Sequence, residues 1–322
     1  MVELETKSTS STAFVFPGQG AQTVGMGYEL YQNLSEARAV FEEADDTLGF
    51  SLSKLCFEGP EDELKQTINA QPAILTMSIA CLKAASASND ISHPIYIAGH
   101  SLGEYTALIA ANSLKFSDGV RTVRERGRLM HEAGIQKPGS MAAILGLDAD
   151  SLEEVCIETG AEIANINCSG QIVISGTKEA LVRSMDLAKS RGAKRVVPLQ
   201  VSGAFHSSLM KPAISGMIQA ISGVNIQPPN IPIIANSTAK PISTVEEIKE
   251  ELIQQICNCV RWLPSVEYMV ANGVGTFIEI GPGQVLTGLI RRISSDVSVH
   301  NLGDIESIKT FNLHKPVQNL TE

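Results

Sequence analysis

Basic residues are in deficit in this chain of 322 residues: 25 Lys and Arg stand against 35 Asp and Glu, for a formal net charge of −10. That shortage argues against nucleic acid as the main partner, because phosphate backbones are held by basic stripes. An anionic partner must instead meet a local cationic patch, for which Arg121, Arg124 and Arg128, then Lys194 and Arg195, then Arg291 and Arg292 are available. Long hydrophobic runs are also missing. No apolar stretch approaches the roughly 20 residues that cross a bilayer, so no membrane association is expected. Met1 to Thr12 lack the basic start and apolar centre of a secretion signal and the arginines of a transit peptide. A short flexible lead and a cytoplasmic location are expected. The six cysteines, Cys56, Cys81, Cys156, Cys168, Cys257 and Cys259, include no C-x-x-C pair. The common zinc and dithiol spacings are thereby excluded. Cys257-x-Cys259 has neither a second pair nor a nearby histidine, so no metal is expected. Free, mostly buried thiols are the expectation. Repeats and low-complexity tracts are absent as well.

What is present is an ordinary globular composition, 43% hydrophobic and 19% charged. The chain is long for a single core, which points to one large domain with a smaller one inserted or appended. Ala13 to Phe16 reads as a first strand, running into the turn-rich Pro17-Gly18-Gln19-Gly20. Helical patterns follow at Tyr28 to Asn33 and Glu36 to Leu48. Gln71-Pro72 is read as the opening of a long apolar helix, with proline at its first position. Ser117 is read as the cap of a helix reaching Gly134. From there the texture changes to β-α-β-β-α-β, with strands near Met141–Leu147, Glu162–Cys168, Gln171–Ser175 and Lys194–Leu199. That is the order of a ferredoxin-like unit. Later, Thr244-x-x-Glu247 forms a capping box. A strand at Thr276–Ile280 enters Gly281-Pro282-Gly283, and the last helix ends at Arg292. The expected division is a discontinuous α/β core over 13–135 and 203–302, an inserted subdomain over 136–202, and flexible tails at 1–12 and 305–322.

The strongest chemical signal is Gly99-His100-Ser101-Leu102-Gly103, a G-x-S-x-G run between an apolar strand and a helical stretch. A strand, a one-residue corner and a helix make a serine into a nucleophile. The corner needs neighbours without side chains, and the helix start offers backbone N–H groups to a developing oxyanion. The alternative is an ordinary βα turn with a capping serine. A serine nucleophile needs a base. Of His93, His100, His131, His206, His300 and His314, His206 is the best placed, at the boundary where the chain returns to the main domain. No acid between Ser101 and His206 stands out as an orienting partner. A carboxylate or a backbone carbonyl could hold the imidazole. Arg126 falls on the apolar edge of its helix, beside Val123 and Met130. It meets either a structural carboxylate or an anionic ligand, to whose carboxylate its planar fork is suited.

These motifs, with Phe14-Val15-Phe16-Pro17-Gly18-Gln19-Gly20-Ala21-Gln22, Gln71-Pro72-Ala73, Arg126-Gly127, Gly203-Ala204-Phe205-His206-Ser207 and Glu279-Ile280-Gly281-Pro282-Gly283, resemble the malonyl-CoA:acyl carrier protein transacylases. The chain is more distantly similar to the acyltransferase domains of polyketide synthases. The matching stretches run in family order along nearly the whole chain. The resemblance implies a hydrolase-like α/β core, with a parallel sheet and helices on both faces, plus the ferredoxin-like insert. It implies Ser101 as the acyl-accepting nucleophile and His206 as base and then acid. Gln255 would hold the histidine through its main-chain carbonyl, and Arg126 would pair with the malonyl carboxylate. Backbone N–H groups of Gln19 and Leu102 would form the oxyanion hole, and Phe205 would crowd the α-carbon against methylmalonyl units. The family often has Asn-Pro-Val-x-Trp where this chain has Asn258-Cys259-Val260-Arg261-Trp262, and often proline at Ser208. The implied reaction is malonyl transfer from coenzyme A to acyl carrier protein through a malonyl-serine ester, for fatty acid biosynthesis. No bound cofactor is implied, the coenzyme A thioester being a substrate, and a monomer is expected. Three readings compete with it: a trans-acting acyltransferase of polyketide synthesis, a serine esterase or thioesterase, and a non-catalytic carrier-protein scaffold.

Overall fold

The computed structural model describes residues 11–88, 91 and 93–311. Its centre is a six-stranded sheet in the order β10-β9-β1-β2-β7-β8. The strands are β1 (Ser11–Phe16), β2 (Tyr96–Gly99), β7 (Ile233–Ile234), β8 (Pro241–Ile242), β9 (Val274–Ile280) and β10 (Ser298–Leu302). Every neighbouring pair is parallel except β7 and β8. Parallel strands are covered on both faces, so they read as unbroken apolar runs. In β1, Phe14 and Phe16 enter one core while Ala13 and Val15 enter the other. The two cores are the two faces of the sheet.

A second sheet, in the order β4-β5-β3-β6, is antiparallel throughout. It comprises β3 (Ser140–Leu145), β4 (Glu162–Cys168), β5 (Gln171–Gly176) and β6 (Arg195–Pro198). The helices Ala149–Thr159 and Lys178–Ser190 cover one face and build a separate core with Ile144, Ile172 and Ile174. Asp148 and Thr177 cap them, each accepting a backbone N–H. Met141 and Val173, on the other face, pack into the main core. Ile166 N–H donates to the Val260 carbonyl at 2.9 Å, which joins β4 to the larger body.

Several sequence expectations need correcting. The apolar helix spans Thr67–Ser88 with Pro72 inside it. Proline there leaves the Ile68 carbonyl without its helical donor, and Arg124 Nη1 donates to that oxygen at 2.9 Å instead. The Phe116–Gln136 helix begins before Ser117, with Lys115 at its cap and no side-chain cap bond. Ser11 and Thr12 belong to β1 rather than to a flexible lead. Val285–Ile293 is followed by β10 and by a helix at Ile305–Thr310 that carries its own capping box. The remaining tail residues, 1–10 and 312–322, lie outside the described set, as does His314. Short helices at Leu52–Glu58 and Glu61–Lys65 also escaped the sequence pattern.

The sharp corner after β2 depends on two glycines. A Cβ on Gly99 would sit 1.9 Å from the Gly103 carbonyl carbon, and one on Gly103 would sit 2.4 Å from the Phe16 oxygen. The strand, the corner and the helix Gly103–Ala110 therefore cross with no room for a methyl group. Gly103→Ala is expected to lower stability by about 1–3 kcal/mol through overpacking. Gly288→Ala, in a helix with open space at its Cβ, is expected to raise it by about 0.5–1 kcal/mol. Thermal unfolding of the two variants checks this, and equal effects would contradict it.

Candidate active site

Three strand ends meet at the carboxyl edge of the parallel sheet, where ligands of open α/β folds bind. β1 delivers the Gly18–Gln19 loop, β2 delivers Ser101, and β7 is followed by Asn236. Ser101 takes φ 54°, the left-handed corner of a nucleophile elbow. Its N–H donates to Asn236 Oδ1 at 2.7 Å, and Asn236 Nδ2 donates to the Gly99 carbonyl at 2.7 Å. One side chain thus fastens both ends of the corner.

His206 arrives from the loop after the second sheet, also with positive φ, 57°. Ser207 Oγ bonds the Ala204 carbonyl at 2.6 Å and closes that loop. His206 Nδ1 lies 2.8 Å from the Gln255 carbonyl, and Nε2 lies 2.8 Å from Ser101 Oγ. A carbonyl only accepts, so Nδ1 carries the proton and Nε2 is free to take one from the serine. Arg126 is 1% exposed. It donates from Nη1 to Gln71 Oε1 at 2.7 Å, and from Nη2 to Gln255 Oε1 at 2.7 Å and Ser101 Oγ at 3.1 Å. No carboxylate oxygen among the described residues is bonded to it, and its Nε has no partner there. Gln255 thus touches the base through its main chain and the guanidinium through its side chain.

Ser101, Leu102, Gln19, Arg126, Phe205 and His206 line one cavity of about 490 Å³. A larger recess of about 740 Å³, near Phe14, Lys83 and Ile231, holds none of these groups. Volume alone therefore does not locate the chemistry. The backbone N–H groups of Gln19 and Leu102 have no acceptor among the described residues. Leu102 stands at the N-terminus of the helix Gly103–Ala110, where the dipole favours negative charge.

The acyl transferase domain family matches residues 13–311. The chain belongs to the acyl transferase family. A malonyl CoA-acyl carrier protein transacylase of Bacillus subtilis is 47% identical over 305 residues, 93% of this chain and 96% of that protein. The solved acyl-carrier-protein S-malonyltransferase of Bartonella henselae superposes with a TM-score of 0.90 at 44% identity, over 93% of this chain and 97% of that one. A malonyl-transacylase solved with a type II PKS acyl-carrier protein also gives 0.90, at 40% identity, over 93% of this chain and 98% of that one.

In this acyl transferase the residues singled out from the sequence converge: Ser101, His206, Arg126, Gln255, Phe205, Gln19 and Leu102 share one cavity or its wall. His100 does not compete as the base. It turns to Asn167 Oδ1 at 2.9 Å and against the Trp262 ring. Of the two departures from the family pattern, Ser208 has a positive reason: its N–H donates to the Glu162 carboxylate at 3.1 Å, which proline could not do. The arginine patch separates. Arg121 pairs with Asp118, and Arg128 with Glu125 and Glu132, away from the cavity. Arg292 donates to Gln171 on the cavity lining at 2.6 Å, and Lys65 also lines it. Asn236, Gln71 and Glu104 were missed as site residues. For Asn236 the available signal was its place immediately beyond a parallel strand. Among the described residues no cluster is suited to a metal ion, and no helix is long and apolar enough to cross a membrane.

Burial, then repulsion from Arg126, pushes the His206 imidazole down to about 3. An imidazole acting as a base does so in its neutral form, so a lowered pKa keeps that form present at acid pH. In the free enzyme, kcat/KM is expected to stay level between about pH 5 and pH 7. A histidine of ordinary pKa 6.5 would lose roughly 25-fold over that span. A pH–rate profile with an inflection near 6.5 would contradict this.

Proposed function

We propose that this acyl transferase moves a malonyl group from coenzyme A to the pantetheine thiol of an acyl carrier protein, supplying chain-extender units for fatty acid biosynthesis. Ser101 Oγ attacks the thioester carbonyl carbon while His206 Nε2 takes its proton. The oxyanion faces the Gln19 and Leu102 N–H groups, each such donor being worth roughly 10²–10³ in rate. The carbon–sulfur bond then breaks, and His206 returns the proton to the departing coenzyme A thiolate. A malonyl ester of Ser101 remains. In the second half His206 takes the proton of the carrier thiol, and the thiolate attacks the ester carbonyl. Ser101 leaves with its proton restored. Phe205, 6% exposed and lining the cavity, limits bulk at the α-carbon. Arg292 and Lys65 at the cavity rim meet the carrier or the coenzyme A phosphates. Residues 136–202 are treated as an inserted subdomain on the core 13–135 and 203–302, supported by their separate sheet and core.

The observation that carries this reading is the buried Arg126, bonded to amide oxygens and to Ser101 Oγ itself. An esterase for neutral acyl groups has no use for an unanswered cation beside its nucleophile. An acyl group bearing a free carboxylate supplies the missing charge. A substrate lacking it leaves the guanidinium buried and unpaired, a penalty that supports discrimination on the order of 10⁴. Arg126→Ala is expected to lose malonyl transfer by a factor of that order while keeping or gaining acetyl transfer. Transfer rates from malonyl-CoA and acetyl-CoA check it, and equal loss of both activities would refute the role.

A further inference from the structure

Beneath the elbow lies a buried polar cluster that the transfer mechanism leaves unused. Glu104, 1% exposed, stands on the first turn of the helix that follows Ser101. Its Oε1 accepts the Asn236 N–H at 2.5 Å, and its Oε2 accepts from Gln255 Nε2. Gln255 Nε2 also donates to the Ser101 carbonyl at 2.9 Å, and its Oε1 accepts from Arg126 at 2.7 Å. A side-chain amide has one acceptor end and one donor end. Two acceptors, Glu104 and the Ser101 carbonyl, claim the donor end. The oxygen is left for Arg126.

We infer that Glu104 is a positioning residue for acyl selectivity: it fixes the orientation of the Gln255 amide, and through that amide aims Arg126 at the substrate carboxylate. The inference rests on the malonyl-transfer reading above. With the amide reversed, an NH₂ group would face a guanidinium, two donors with no acceptor between them. The charge state of Glu104 matters equally. The charged or titratable groups facing it are Glu251, Arg126 and Tyr105. Burial first and the neighbouring Glu251 second raise its carboxyl well above the usual range. Glu251 accepts from Ser237 N–H at 2.9 Å. Glu104 is bonded to Gln255 and Asn236 and not to Arg126, so it gives the guanidinium no direct ion pair. The cation stays available for the substrate.

The test compares kcat and KM for malonyl-CoA and acetyl-CoA in wild type, Arg126→Ala, Glu104→Gln and Glu104→Ala. Both carboxyl oxygens of Glu104 accept from N–H donors, and glutamine offers only one acceptor. Glu104→Gln therefore sets an NH₂ against Gln255, favours the reversed amide and is expected to lower the wild-type malonyl-to-acetyl ratio at least fivefold. Glu104→Ala is expected to lower that ratio at least tenfold, chiefly through malonyl KM, because the Gln255 side-chain amide turns while its main-chain carbonyl stays on His206. Retention of the wild-type ratio in Glu104→Ala or in Glu104→Gln overturns the inference. A uniform fall in kcat for both substrates also overturns it, since that is the mark of a merely structural role. If Glu104→Ala does not fold, Glu104→Asp reads the same contact. Its carboxyl, one methylene shorter, no longer holds Gln255 Nε2 in place, which is expected to lower the ratio at least fivefold through malonyl KM, and an unchanged ratio overturns the inference. A wild type with no malonyl preference would instead sink the functional reading, which separates the two failures.

Discussion

A guanidinium moved out of water loses several kcal/mol of hydration unless something answers its charge. Arg126 is answered only in part. Two amide oxygens accept from its Nη atoms and the Tyr105 ring lies 5.8 Å from its carbon. Dipoles and a ring face compensate less than an anion does. The surrounding structure holds this incomplete arrangement in place. Gly127 packs so closely that a Cβ would come within 2.7 Å of the Ile68 backbone, pressing the Arg126 helix against the helix that carries Gln71. The fold therefore holds a buried cation, with no carboxylate bonded to it among the described residues, beside Ser101.

On the proposed reading, Gln255 makes recognition and reactivity one unit. Its carbonyl holds His206, its side-chain oxygen holds Arg126 and its nitrogen holds the Ser101 carbonyl. A shift of this residue moves the base and the recognition group together. The electrostatics are linked as well, because repulsion from Arg126 is the second cause of the depressed His206 pKa. On the proposed reading, a substrate carboxylate that neutralises Arg126 relieves that repulsion and strengthens the base. The acyl group the cavity selects is then also the one that best activates its nucleophile.

The elbow was legible in the sequence because its demands are local: two glycines, a strand before and a helix after. The core strands were legible as apolar runs for the same reason, and the Thr244 capping box formed as its spacing implies. Long-range satisfaction was not legible. Pro72 looked like a helix start because nothing near it in sequence reveals that Arg124 serves the Ile68 carbonyl. Asn236 stands 135 residues from the Ser101 N–H it accepts. Gln255 acts on His206 through a main-chain carbonyl, which no residue type advertises, so only family resemblance reached it. Glu104, one residue past the elbow motif, gave no signal in the sequence, because the groups that bond it, Asn236 and Gln255, stand 132 and 151 residues away.

The central claim is that Ser101 carries an acyl group whose free carboxylate is read by Arg126. The most direct measurement is mass spectrometry of the wild-type protein quenched after exposure to malonyl-CoA, with peptide mapping of the adduct. The account predicts one malonyl group, on Ser101, discharged when a carrier-protein thiol is added and scarcely formed when acetyl-CoA replaces malonyl-CoA. An adduct on another residue, no adduct at all, or equal labelling by the two thioesters would contradict it.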